Sequence, residues 1–354
     1  MQIDNPLANH AVIVGHYGVT FITVYCAALL ITAKLKSYLI VTIFFLSAAI
    51  IKNLNFSKPI GEEISIALIQ GSIPQDLKFD EDLARKHRDI YLKMIIEVQK
   101  FQKDVSLIVL PETALTRPWE YLSRNFRTRL LDALKKNKVI FLTGIPVRDN
   151  AGWKNSVIAI DSALTGEDKF IIGRYDKHHL VPFGEFIPLG FKWFVNLMNI
   201  PLGEFKRGPL PQDPINVKDQ LIGINICFED LFGDEIIKSF SKNNPKNNPS
   251  ILLNVSNLAW FGDSNALSYQ LKASRMRSIE TERPTIRSTN TGYTVFIDKK
   301  GNVIKGIKPN HRGYIVGKVQ GTQGLTIFAI CGNYLILLVC FLIFSFRLPS
   351  IYIK

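Results

Sequence analysis

Three long apolar runs constrain this chain more than any other feature. Ala11–Ala33 is 23 residues without Asp, Glu, Lys or Arg, Leu325–Phe346 is another 22, and Ser37–Ile51 is 15. At about 1.5 Å per residue, the first and third reach across the hydrocarbon core of a bilayer. The middle run reaches only if its helix continues through Lys52 to Phe56, with the Lys52 ammonium snorkelling to the interface. A cleaved leader is the rival reading of the first run. A leader needs a basic start, and Met1–His10 has no Lys or Arg and carries Asp4. The expected organisation is therefore 1–56 with two spanning helices, 57–324 as one globular domain, and 325–354 as a third span and a short tail.

Charge on the short flanks orients the spans. Lys34 and Lys36 lie between the first two runs, Arg347 and Lys354 follow the third, and neither flank has an acid. Both flanks read as cytoplasmic, which puts the globular domain outside. The chain carries 43 Lys+Arg against 30 Asp+Glu, a net charge of +13. That surplus suits an anionic membrane surface. No aromatic RNA-binding signature accompanies it, and the outward orientation argues against nucleic acid as a partner. Of the four cysteines, Cys26, Cys331 and Cys340 lie in apolar runs and only Cys227 lies in polar sequence, so a disulfide-stapled fold is ruled out.

The middle region alternates strand and helix signals without internal repeats. Strands are predicted at Ile64–Ile69, Ser106–Leu110, Val139–Thr143, Ser156–Ile160, Leu221–Ile226, Ile251–Val255 and Tyr293–Ile297. Helices are predicted at Asp80–Phe101, Glu120–Lys136 and Ser264–Glu282. Asp80 suits an N-cap, and Leu83, His87, Ile90, Tyr91, Met94 and Ile95 form one apolar face. This pattern points to an α/β sandwich.

Common catalytic motifs are absent: no G-x-S-x-G, P-loop, H-E-x-x-H or C-x-x-C. The adjacent His178 and His179 point different ways on any regular element, so a metal site on them is not expected. Three other residues carry chemistry. Cys227 ends the apolar strand at Leu221–Ile226. In an oxidising compartment an idle thiol is a liability, and the neighbouring Glu229 and Asp230 raise its pKa unless a cation or base offsets them. Glu112 follows the strand at Ser106–Leu110, where a poorly solvated carboxylate suits a general base. Lys177, before Leu180-Val181-Pro182-Phe183-Gly184-Glu185, is either a solvated lysine or a fixed cation for a thiolate and an oxyanion. Together they supply nucleophile, base and electrophilic donor.

The order Leu110-Pro111-Glu112, Lys177, then Ile226-Cys227-Phe228-Glu229 resembles the nitrilase, or carbon-nitrogen hydrolase, superfamily. More closely, the chain resembles the bacterial apolipoprotein N-acyltransferase family. The likeness lies in Ala67-Leu68-Ile69-Gln70-Gly71-Ser72-Ile73-Pro74-Gln75, Leu180-Val181-Pro182-Phe183-Gly184-Glu185 and Val255-Ser256-Asn257-Leu258-Ala259-Trp260-Phe261-Gly262-Asp263. It continues through Arg275-Met276-Arg277, Glu282-Arg283-Pro284 and Arg287-Ser288-Thr289-Asn290. The resemblance implies a four-layer α-β-β-α domain on the periplasmic face of a bacterial inner membrane. It implies transfer of an acyl chain from a phospholipid to the amine of an N-terminal diacylglyceryl-cysteine, with no cofactor or metal. Carried over residue by residue, Cys227 is the nucleophile, Glu112 the base and Lys177 the oxyanion donor. Glu185 and Glu229 match supporting acids, and Trp260 a residue near the lipid-binding mouth.

Two departures stand out. Members of the family carry several membrane helices before the segment that starts here, so the chain reads as the C-terminal part of a longer protein or a natural short version. Phe228 stands where the family usually has Tyr. Rival readings are a membrane-anchored amidase using the same three residues, and an inactive part that binds a separate membrane partner.

Overall fold

The computed structural model describes residues 2–75, 81–164, 170–188, 190 and 204–347. Asp80, the expected N-cap, and the tail from residue 348, with Lys354, lie outside the described residues. Helix α1 (Ala11–Ile31), entered by a 3-10 turn at Pro6–His10, and α2 (Leu35–Asn53) form an apolar pair. Both are long and apolar enough to cross a membrane. Two polar residues at the C-terminus of α2, Lys52 and Asn53, lie past the apolar run.

Two of the apolar runs differ from a simple spanning helix. The first is broken at Gly15, whose φ of +65° and ψ of −179° are open only to glycine. A Cβ at this position would lie 2.3 Å from the Phe328 ring. The break frees the N–H of His16, which donates to Glu280 Oε1 at 2.7 Å. The run at Leu325–Phe346 is likewise two helices, Ile327–Cys331 and Tyr334–Arg347, separated at Gly332, where φ is +56°. A charge scan does not register glycines, and so both breaks pass unseen in the apolar pattern.

The globular region is built on two six-stranded sheets. The first runs β13 (Gly313–Val319), β2 (Ile64–Gln70), β3 (Val105–Val109), β4 (Ile140–Asp149), β5 (Gly152–Asp161) and β6 (Ile171–Asp176). The second runs β12 (Val303–Ile307), β11 (Thr294–Ile297), β10 (Thr285–Thr289), β9 (Ile251–Ser256), β8 (Gln220–Ile226) and β7 (Ile215–Val217). In each, three central strands are parallel, β2-β3-β4 and β8-β9-β10. A short pair, β1 (Ser57–Pro59) with β14 (Thr322–Gly324), joins the incoming and outgoing chain.

Period-2 alternation sorts β2 between two cores. Ala67 and Ile69 face α3 (Glu81–Phe101) and α4 (Arg124–Lys135), through Tyr91, Ile95, Phe126 and Leu130. Ile64, Ile66 and Leu68 face the second sheet, through Ile222, Ile226, Leu253 and Ile286. A strand covered on both faces is apolar throughout, which explains why β2 and β3 are so plain in the sequence. Helix α5 (Ala266–Thr281) covers the outer face of the second sheet, which completes the α-β-β-α layering. The helix expected from Glu120 begins later, at Arg124, because Ser123 caps it by accepting from the Phe126 N–H; the residues before it form a 3-10 turn at Trp119–Tyr121.

Helix α5 and the two residues after it tie the apolar N-terminal segments to the domain. Its Met276 and Ile279 pack with Ile3, Ala8, Ala11, Val12 and Val19. Lys272 and Arg275 pair with Asp4 at 3.0 and 2.7 Å. Glu282, fully buried, accepts from the N–H groups of Phe56 and Ser57 at 2.8 and 2.7 Å, and Arg283 donates to the Gly324 carbonyl at 2.6 Å.

Candidate active site

The parallel strands of both sheets end on one side, where ligands of open α/β sheets collect. Glu112 follows β3, Lys177 follows β6 and Cys227 follows β8. The three residues singled out in the sequence are thereby brought to one end of the sandwich.

Glu112 is reached through Leu110-Pro111, and the chain turns at Thr113, where φ is +46°. The turn lies directly on β4. A Cβ at Gly144 would come within 2.5 Å of Thr113 N and 2.6 Å of Glu112 Cα, so only glycine lets the two backbones approach this closely. The Glu112 side chain is buried and held at both oxygens. Oε1 accepts from Asn155 Nδ2 at 2.8 Å and from Lys177 Nζ at 3.3 Å, and Oε2 accepts from the Asn257 N–H at 2.7 Å.

Lys177 is 1% exposed, which removes the solvated-lysine reading. Its backbone is fixed by the Asn155 carbonyl, which accepts its N–H at 2.8 Å, and its ammonium also reaches Glu185 at 2.9 Å. Burial alone would favour the neutral amine. Glu112, Glu185 and Cys227 outweigh it and hold the ammonium above its ordinary range. Glu185 is oriented by the Val181 N–H at 2.9 Å and by Asn155, which donates at 2.7 Å from the same nitrogen that serves Glu112. One amide thus spaces the two carboxylates that flank the lysine.

Cys227 is 8% exposed and adopts φ +54°, where an L-residue costs about 1 kcal/mol. It opens a short 3-10 turn, Cys227–Leu231. Burial pushes the thiol up to about 12; Glu112 adds to the rise and Lys177 opposes it. The resting site therefore holds a thiol, with a charged lysine and a hydrogen-bonded carboxylate as neighbours. Glu229 accepts four hydrogen bonds: from the N–H groups of Ile226, His178 and His179 at 2.6, 2.7 and 3.0 Å, and from the Tyr175 hydroxyl at 3.0 Å. Burial still raises its carboxyl to about 7. The role legible in this geometry is a staple between the cysteine turn and the segment that follows Lys177.

Trp260 sits in the 3-10 turn Ala259–Phe261 and is 73% exposed, with Phe261 at 50%. Phe228 packs edge-on against Phe232, whose ring stacks on His179 at 3.6 Å. His178 and His179 bond apart, to the Gly208 carbonyl and to Glu235. Among the described residues no group of three His, Cys, Asp or Glu is arranged to hold a metal. Asn155 and Tyr175 belong to the site and lie outside the matched stretches, whereas Asn257 lies within Val255–Asp263; the one signal for Asn155 is a polar residue just before the predicted strand at Ser156–Ile160.

Comparison with known proteins agrees with this geometry. The carbon-nitrogen hydrolase family model matches residues 65–326. An apolipoprotein N-acyltransferase of Ralstonia nicotianae is 38% identical over 337 residues, covering 93% of this chain. The chain spans 62% of that relative's length. A carbon-nitrogen hydrolase structure from Helicobacter pylori superimposes with TM-score 0.53 at 14% identity, over 73% of this chain and 89% of that one. An amidase structure from Nesterenkonia sp., described as carrying acrylamide added at its active-site cysteine, superimposes with TM-score 0.51 at 13% identity, over 72% of this chain and 93% of that one. With buried Glu112, Lys177 and Cys227 at the strand ends of two stacked sheets, the chain belongs to the carbon-nitrogen hydrolase family.

Proposed function

We propose that the protein moves an acyl chain from a phospholipid to the N-terminal diacylglyceryl-cysteine amine of an apolipoprotein, through a thioester on Cys227. The observation that carries this reading is the buried cluster of Glu112, Lys177 and Glu185 beside a buried, strained cysteine. Similarity to the apolipoprotein N-acyltransferase of Ralstonia supports the substrate class. The helices α1 and α2, with the apolar run Leu325–Phe346, span the inner membrane of a bacterium, and the domain faces the periplasm. Trp260 and Phe261 then offer aromatic surface to lipid near the site.

In the first half-reaction Glu112 takes the Cys227 proton as the sulfur attacks the acyl ester carbonyl. Lys177 and a backbone N–H at the cysteine turn hold the oxyanion. The ester oxygen leaves as lysophospholipid, taking the proton back from Glu112, and the acyl chain remains on sulfur. In the second, the neutral cysteine amine of the apolipoprotein attacks the thioester. Glu112 accepts a proton from nitrogen and returns it to the departing sulfur. Because the resting thiol is protonated, base assistance is needed in the attack itself. Glu185 and Glu229 hold Lys177 and the cysteine turn in place.

A membrane-anchored amidase would use the same three residues on a small amide, and the exposed Trp260 and Phe261 favour the lipid reading over it. Intact mass spectrometry after incubation with phospholipid tests the proposal. Wild-type protein should gain one acyl mass, and Cys227→Ala none. An adduct of equal yield on Cys227→Ala assigns the chemistry elsewhere, and an adduct from a small amide but never from phospholipid favours the amidase.

A further inference from the structure

Beneath the cysteine turn lies a second polar cluster that the acyl-transfer steps leave unused. Arg287, on β10, is fully buried, and its guanidinium reaches two ways. One nitrogen donates to Asp230 Oδ2 at 2.7 Å and to Ser274 Oγ at 2.6 Å, and Ser274 itself donates to Asp230. The other donates to Ser256 Oγ at 3.2 Å. From there the donors continue in one direction. The Ser256 hydroxyl donates to Asn254 Oδ1 at 2.5 Å, and the Asn254 amide donates to Asn225 Oδ1 at 2.5 Å and to the carbonyl oxygen of Cys227 at 3.3 Å. Asp230 lies in the same 3-10 turn as Cys227. A single cation therefore holds the turn at both ends: at the carbonyl of its first residue, and at a carboxylate three residues on.

We infer that Arg287 is a positioning residue for Cys227, fixing the strained cysteine turn through Asp230 on one side and through Ser256 and Asn254 on the other. The inference rests on the reading of Cys227 as nucleophile. Two physical effects follow from the arrangement. A cysteine at positive φ relaxes toward ordinary backbone unless its surroundings over-determine it, and the two attachments supply that constraint. Donation into the Cys227 carbonyl also polarises the peptide unit it shares with the Phe228 N–H. Hydrogen bonds in such chains strengthen one another, so this N–H becomes a better donor to an oxyanion. Lysine cannot replace Arg287, because one ammonium lacks the planar fork that spans Asp230 and Ser256 together.

Two variants of the full-length chain in detergent micelles or vesicles test this, each read per folded molecule. Ser256→Ala deletes one buried oxygen from one arm and leaves the Arg287–Asp230 pair intact. Arg287→Lys keeps a cation but gives up the fork. Both should lower the maximal acylation rate of Cys227 about tenfold, with the half-saturating phospholipid concentration unchanged. Residues that only stabilise the fold would lower the folded fraction and leave the rate per folded molecule alone. Ser256→Ala acylating within twofold of wild type, while Cys227→Ala is unreactive, overturns the positioning role and spares the nucleophile. Cys227→Ala acylating like wild type overturns the nucleophile reading and this inference with it.

Discussion

A lysine held between two carboxylates out of reach of solvent feels opposing forces, and at Lys177 attraction wins over burial. Its charge is therefore present before any substrate arrives, and in the proposed mechanism it meets negative charge that develops only during reaction. Interactions of this kind act on the transition state more than on the bound substrate. Lys177→Met keeps most of the stem and removes the cation. The acylation rate at saturating phospholipid should fall about 10²–10³-fold, with half-saturation little changed. Rate against lipid concentration for the two proteins checks this. An unchanged maximal rate with weaker half-saturation would make Lys177 a binding residue instead.

Elements, rather than residues, carry the strain where α1 meets the helix Ile327–Cys331. Gly15 combines a backbone conformation closed to other residues with contact against the Phe328 ring, and its geometry frees the His16 N–H for Glu280. Gly15→Ala must move the ring, the helix or both. It should cost about 1–3 kcal/mol, read as a lower thermal midpoint of the whole chain, with Cys227 acylation retained in the molecules that remain folded. An unchanged midpoint would show that α1 rearranges freely at this point. The same elements show what was legible in the sequence. The strands β2, β3, β4, β5, β8, β9 and β11 are apolar runs, and all correspond to predicted ones. Strand β10 escapes notice because it is written in polar residues that are nonetheless buried: Arg287 donates to Ser274 and Ser256, Ser288 to the Ile69 carbonyl and Thr289 to Gln70 Oε1. Strand β12 escapes because it lies exposed on a sheet edge and needs no apolar alternation. At the site, Glu112 and Cys227 are visible as polar residues that end buried strands. Asn155, Asp230 and Arg287 bond to partners distant in the sequence, and the residues around each do not show those pairings.

At the scale of the molecule, the positive flanks fix a testable direction. A cysteine placed at the exposed Leu35, between Lys34 and Lys36, in a chain with all its native cysteines replaced, should resist a membrane-impermeant thiol reagent added from the periplasmic side and react once the membrane is opened. Labelling before disruption would invert the proposed topology.

The tether at α5 has a mechanical meaning for such an arrangement. Glu282 grips the chain as it enters the domain at Phe56 and Ser57, and the next residue, Arg283, grips it as it leaves at Gly324, while Asp4 and His16 are pinned a few turns away. A body hung from one flexible cord can swing and spin, so its opening visits every heading. A plate fastened along one edge can rock on that edge but cannot spin. With the helices in a bilayer, as proposed, the domain would keep one bearing, and the strand ends that carry Glu112 and Cys227 would stay at a nearly constant height. In the proposed acyl transfer, an acceptor would approach a fixed target instead of searching for a moving one.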